Sequence, residues 1–92
     1  MSDIRLFYLE GCPYCRKALA ALAELKNDPA YAAVKVDMVE ENEQPQVAEK
    51  YDYYHVPALF ADGEKVYECS PGDGEDAIRA GVKAALDRGL GR

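Results

Sequence analysis

The sequence predicts an α/β domain in which a mixed sheet is covered by helices, its elements running in the order β-α-β-α-β-β-α. Two observations carry this prediction. A helix-like stretch lies between the first two strand-like runs, as a crossover between parallel strands requires, and a later pair of strand-like runs is joined by Asp62-Gly63, a strong two-residue hairpin signal. At 92 residues with 49% hydrophobic content, the chain has the size and apolar share of one domain, residues 1–92.

The first strand is expected at Ile4 to Leu9, "IRLFYL", which is rich in aliphatic and aromatic residues and too short for a typical helix. Ala18, Leu19, Leu22 and Leu25 then recur at helical spacing, so a helix is expected from Cys15 to about Leu25, and "KNDP" at Lys26 to Pro29 stops it. "AVKVDMV", Ala33 to Val39, alternates as a second strand. Helix and flanking strands form a βαβ unit, right-handed in nearly all known cases. Past the acidic connector "EENEQPQ", Pro45 suits the first turn of a short helix with Val47, Ala48 and Tyr51 on one face. "ALFADGEKVYE" supplies the hairpin. After the turn "SPGDGED", Ile78, Val82, Ala85 and Leu86 mark a last helix that stops before Gly89.

Charge and composition exclude several roles. With 17 acidic against 11 basic residues the net charge is −6, which repels a phosphate backbone, so no nucleic-acid partner is expected. No apolar run approaches the roughly 18 residues of a membrane span. The opening stretch reaches Glu10 too soon for the apolar core of a signal peptide. A cytoplasmic location and a monomer are the expectation. Three cysteines form an odd, sparse set, unlike the dense sets of small secreted scaffolds.

The chemistry-bearing stretch is "LEGCPYCRKALAAL", Leu9 to Leu22, where two cysteines three positions apart straddle the passage from strand to helix. Such a pair is a structural disulfide, half of a metal site or a reactive dithiol. Pro13 suits a first helical position. A thiolate at Cys12 would then face unpaired backbone N–H groups and the positive end of the helix dipole, with Arg16 and Lys17 close by, surroundings that favour the ionised form. Cys15, one turn into the helix, is more shielded and within reach of the first sulfur. The usual second half of a zinc site, another close pair of cysteines or histidines, is missing, leaving only His55 and the distant Cys69. An attacking and a resolving thiol fit the layout best. A non-catalytic metal or iron–sulfur carrier using the same cysteines is the alternative.

"CPYC" after a first strand, "VPALF" at Val56 to Phe60, and Cys69-Ser70 beyond the hairpin resemble the glutaredoxins, small members of the thioredoxin fold, across nearly the whole chain. The resemblance implies a four-stranded mixed sheet with helices on its faces and a thiol-disulfide oxidoreductase whose catalytic residues are Cys12 and Cys15. It implies a cis Val56-Pro57 bond beside them, with the Val56 backbone free to pair with an extended substrate. It also implies that Tyr14 flanks the substrate sulfur and that Ser70 sits where the family holds the glutamyl end of glutathione. No metal site and no tightly bound cofactor are implied. The expected partners are disulfide-containing proteins and a reductant, either glutathione as redox co-substrate or a protein of the thioredoxin-reductase kind.

The departures bear on that choice. Leu9 and Glu10 stand where many glutaredoxins carry a cation three positions before the first cysteine. Tyr67-Glu68 replaces a Gly-Gly pair, Pro71 an acidic residue and His55 a threonine. Losing a cation and gaining Glu10 and Glu68 should weaken binding of the anionic tripeptide. His55 is a candidate to tune Cys12. The aromatic cluster Tyr51 to His55 is expected to pack the end of the second helix with its hydroxyls in water, and Cys69 to behave as a small apolar residue.

Overall fold

The computed structural model describes residues 3–91. Its strands are β1 (Ile4–Tyr8), β2 (Val36–Glu40), β3 (Ala58–Ala61) and β4 (Glu64–Glu68); its helices are α1 (Pro13–Lys26), α2 (Pro45–Ala48) and α3 (Glu75–Gly89). The order is the one the sequence predicts. The strands form one mixed sheet in the order β2-β1-β3-β4, with β1 parallel to β2 and both β1–β3 and β3–β4 antiparallel.

Alternation along β1 assigns its two faces. Ile4 and Leu6 point into a core shared with Ala18, Ala21 and Leu25 of α1 and Ile78, Val82, Ala85 and Leu86 of α3. Phe7 points the other way and joins Val39, Ala58 and Phe60 under Val47, Ala48, Tyr51 and Tyr53. Phe7 meets Tyr51, Tyr53 and Phe60 at ring-centroid distances of 4.7, 5.0 and 5.6 Å, spacings at which aromatic pairs attract beyond their buried area. The two long helices thus cover one face, and the α2 region with its following tyrosines covers the other. Of the expected cluster Tyr51 to His55, Tyr54 and His55 stand exposed, while the Tyr51 and Tyr53 hydroxyls are not left to water. Arg5 donates to Tyr51 Oη at 2.7 Å, and the Tyr53 hydroxyl donates to Glu41 at 2.6 Å.

The first strand ends at Tyr8 rather than Leu9, and the first helix already starts at Pro13 rather than Cys15. Two further boundaries differ for a visible reason. The second strand begins at Val36 rather than Ala33, because α1 is followed by turns in which Asp28 accepts the Ala30 N–H and Tyr31 O accepts the Val34 N–H. Val34 is still fully buried, which explains why the residues read as strand. The last helix runs through Gly89. A Cβ there would lie 2.8 Å from Val34 and 3.2 Å from Ile4, so this glycine allows the helix to approach the sheet rather than end, and Gly91 carries the left-handed φ of +82°.

Gly81, midway along α3, has the same purpose on a larger scale. Tyr67 of β4 lies where its side chain would be, with ring atoms 2.3–2.6 Å from an ideal Cβ. By helix propensity alone, Gly81→Ala would stabilise by up to ~1 kcal/mol. Overpacking against a ring costs about 1–3 kcal/mol, so it wins. Gly81→Ala is expected to lower the urea midpoint; an unchanged or raised midpoint would mean that Tyr67 swings aside freely.

Candidate active site

The turn that carries Cys12 is built from the end of β1. Leu9 O accepts the Cys12 N–H at 3.3 Å, closing a four-residue turn whose third residue, Gly11, sits at φ +86°. This turn type needs a positive φ at that position, which glycine adopts without a Cβ clash. The turn delivers Cys12 to the N-cap of α1, with Pro13 as the first helical residue. Cys12 O accepts the Arg16 N–H at 3.0 Å, while the Cys12 side chain makes no capping bond and stays half-buried. Its sulfur therefore stands at the positive end of a 14-residue helix with no acidic residue in its first turn.

Cys15 is the opposite kind of thiol. It is 1% exposed, and the Leu9 N–H points at its sulfur from 3.4 Å. Burial dominates over that donor, Cys12 beside it adds to the effect, and the pKa is pushed up to about 12. One cysteine is thus presented and its neighbour is buried and protonated. Cys69 is also buried, its thiol pushed up by desolvation and directed at Ser70 O.

A cavity of about 280 Å³ reaches Leu9, whose N–H meets the Cys15 sulfur, and Tyr14, which stands between the two cysteines in the chain. It gathers most of the predicted binding residues, although Cys12, Cys15 and Pro57 are not among its lining. Tyr14, Val56 and Ser70 line it, together with Leu9, Cys69 and Pro71. The Val56-Pro57 bond is cis, and Pro57 is fully buried. Pro57 O accepts the Cys69 N–H, whereas neither the N–H nor the C=O of Val56 has a backbone partner among the described residues. Tyr14 is half-buried, its hydroxyl accepting the Gly72 N–H at 3.3 Å and so tying α1 to the loop after β4. Ser70 is exposed; its N–H is taken by Asp73 Oδ2 at 3.0 Å, an oxygen that also accepts the Tyr67 hydroxyl at 2.7 Å. Together those two donors hold the Asp73 carboxyl below its usual range. His55 stands exposed at the rim.

Two carboxylates that the sequence did not single out as supports hold the loops around this site. Glu40, at the end of β2 and 7% exposed, accepts the N–H groups of Glu10 at 3.0 Å, Asn42 at 2.5 Å and Glu43 at 3.2 Å. The Glu10 N–H, first among these, keeps its carboxyl below the usual range and fixes the turn two residues before Cys12. Glu68 was expected to oppose an anionic substrate. Its charge is instead engaged: Oε1 pairs with Lys65 at 2.7 Å, and Oε2 accepts the Tyr54 and His55 N–H groups, both at 3.0 Å. Lys65 first, then those two N–H groups, lower its pKa. A signal for Glu40 existed, an acidic residue falling on the apolar phase of the alternation set by Val36 and Met38; nothing local marked Glu68. Among the described residues no group of three or more His, Cys, Asp or Glu side chains is placed to hold a metal ion, and no helix is long and apolar enough to cross a membrane.

Comparison with known proteins agrees with this geometry. A glutaredoxin family model matches residues 4–66. The curated protein Glutaredoxin-1 of Rhizophagus irregularis is 33% identical over 68 residues, which span 74% of this chain and 67% of that one. Among solved structures, Malassezia sympodialis thioredoxin superposes with a TM-score of 0.65 at 20% identity, covering 92% of this chain and 77% of its own. Oxidized glutaredoxin 2 of Chlamydomonas reinhardtii gives 0.51 at 21% identity over 98% and 80%. At such identities the two superpositions show the shared thioredoxin-like fold.

The contrast between the thiols is directly measurable. At about pH 8, close to an ordinary cysteine pKa of ~8.5, iodoacetamide should label Cys12 in the reduced protein and leave Cys15 intact, as read by peptide mass mapping. Because the folded pKa of Cys15 is raised, its labelling should grow only as pH climbs toward 12. Cys15 labelled first at pH 8 would reverse the assignment.

Proposed function

The chain belongs to the glutaredoxin family, and from that premise we propose that it is a thiol-disulfide oxidoreductase acting on protein or low-molecular-weight disulfides through Cys12 and Cys15. Membership carries a thiol redox function; the division of labour rests on one observation, a presented sulfur at a helix N-cap beside a buried, protonated one. In the proposed cycle the Cys12 thiolate attacks one sulfur of a substrate disulfide, forming a mixed disulfide and expelling the other sulfur as a thiolate that takes a proton from water. Cys15 then loses its proton and attacks Cys12 Sγ, releasing the reduced substrate and leaving a Cys12–Cys15 disulfide. Two electrons pass from dithiol to substrate, and an external thiol reductant returns them. No tightly bound cofactor or metal is needed.

Tyr14, Val56, Pro57 and Ser70 are the proposed substrate-binding residues. Support comes from the convergence of Tyr14, Val56 and Ser70 on one cavity, from the cis bond that sets buried Pro57 next to Val56, and from the Val56 N–H and C=O, which lack a backbone partner among the described residues and so suit a strand-like partner. The chain is taken as one domain, residues 1–92, acting as a monomer in the cytoplasm, on the strength of its size and sparse cysteines. If the division of labour is right, Cys12→Ser abolishes disulfide reduction, whereas Cys15→Ser still forms a mixed disulfide and accumulates in it, visible as a mass adduct lost on reduction. Turnover by Cys12→Ser would end this reading.

The reductant follows from charge. Among the described residues no lysine or arginine lines the cavity, Leu9 occupies the place of a carboxylate-binding cation, and the Ser70 N–H is already held by Asp73. Glutathione, a net anion, should therefore be a poor electron donor, and a protein of the thioredoxin-reductase kind a better one, with the advantage fading as salt rises. Disulfide reduction coupled to glutathione and its reductase, set beside reduction coupled to thioredoxin reductase, decides the matter. Efficient, saturable turnover with glutathione would reverse the order, and Leu9→Lys should improve glutathione use.

A further inference from the structure

Tyr54 is 85% exposed and stands at the mouth of the cavity on a backbone that is not free to move aside. Its N–H and that of His55 converge on one oxygen of Glu68, whose other oxygen is held by Lys65. A carboxylate accepting two adjacent N–H groups makes charge-assisted bonds, about twice as strong as neutral ones. An exposed aromatic ring on a fixed loop is a ready contact for a partner, since its apolar area is already out of the core and little entropy is lost in using it.

The cavity behind that ring has apolar and aromatic walls at Leu9, Tyr14, Val56, Cys69 and Pro71, polar groups from His55 and Ser70, and one carboxylate, Glu41, which accepts the Tyr53 hydroxyl. Its volume of about 280 Å³ falls just below the roughly 300–1,000 Å³ of pockets that enclose a whole small ligand, and so suits a single large side chain. Val56 offers a free N–H and C=O within the same wall. An extended peptide paired there places a side chain into the cavity, and the charge of Glu41 selects against an acidic one.

We infer that this cavity is a specificity subsite for an apolar side chain next to the cysteine of a protein disulfide substrate, with Tyr54 as its outer wall and Glu68 as the residue that positions that wall. The inference rests on the disulfide-reductase reading and refines its substrate class from disulfides in general to those in extended segments with a large apolar neighbour.

The test uses the full chain, reduced and freed of reductant, mixed with peptide disulfides in which the residue beside the cysteine is Phe, Leu, Ala or Asp. The readout is the second-order rate constant of peptide reduction, the peptide disulfide itself accepting the two electrons of the dithiol. Phe and Leu peptides should react roughly ten-fold faster than Ala, the discrimination a hydrophobic pocket gives, and Asp slower than Ala. Tyr54→Ala should collapse the Phe-to-Ala ratio toward one. Glu68→Ala should do the same, while Glu68→Gln, which keeps an oxygen able to accept both N–H groups, should restore most of it. A merely structural glutamate would not restore specificity this way.

Equal rates for Phe and Ala in the unmodified chain, or a ratio that survives Tyr54→Ala, overturns the inference and leaves the reductase reading standing. If no peptide is reduced at all, both fall. Should Glu68→Ala fail to fold, hydrogen exchange of the unmodified protein decides the role of Glu68. The Tyr54 and His55 amides should exchange at least ten-fold more slowly than unprotected amides, and exchange at the free rate would overturn it.

Discussion

Strand β1 has packing on both of its faces, and that constraint fixes almost everything the site requires. Ile4 and Leu6 fill the core under α1 and α3, while Phe7 fills the core under Tyr51 and Tyr53. A slip of one residue would send Phe7 into the helical side and expose its place among the tyrosines, so the register with β2 and β3 admits one solution. Burying a ring such as Phe7 is worth about 3–5 kcal/mol against its loss, a large share of the 5–15 kcal/mol that holds a typical domain together. Because Leu9 follows directly, its carbonyl is set where it closes the turn on Cys12 and its N–H where it meets the Cys15 sulfur. The two thiols inherit their contrast from the strand before them.

The acidic surplus reads differently once the contacts are known. A charge of −6 suggests a solvated surface, yet several carboxylates serve as fasteners for backbone that has left the sheet. Glu40 gathers three N–H groups, Glu68 two, and Asp73 one N–H with a hydroxyl. Each anchors a loop that faces the cavity. The rigidity of the site thus comes from ionised side chains that neutral residues of the same shape would replace less well.

Much of this was legible because it depends on local pattern. The elements, the Asp62-Gly63 turn with both residues at positive φ, and the placing of Cys12 and Cys15 at a helix start all follow from spacing and turn chemistry within a few residues. What escaped depends on residues far apart in the chain. The Glu68 bonds span 13 and 14 positions, and the fit of Tyr67 against Gly81 joins a strand to a helix. Val34 misled because burial and strand propensity coincide in its residue type, although its backbone lies in a turn. The conformation of the Val56-Pro57 bond was accessible only through family resemblance, since most X-Pro bonds are trans.

The placing of β2 and β4 at the two margins of the sheet has a consequence for how this protein meets other chains. A bare strand margin invites a neighbour's backbone, and charged side chains deter it, because pairing would strip them of water. Here Glu64 and Lys65 stand exposed on β4 and Asp37 on β2, so sheet-to-sheet growth between copies is discouraged at both margins. Val56, in the bend before β3, lacks that guard: its N–H and C=O have no backbone partner among the described residues, and it lines the cavity. On the proposed reading the charged margins and the Val56 backbone act in opposite senses, the first deterring a foreign strand at the sheet edges and the second accepting one in the cavity that Leu9 and Tyr14 line.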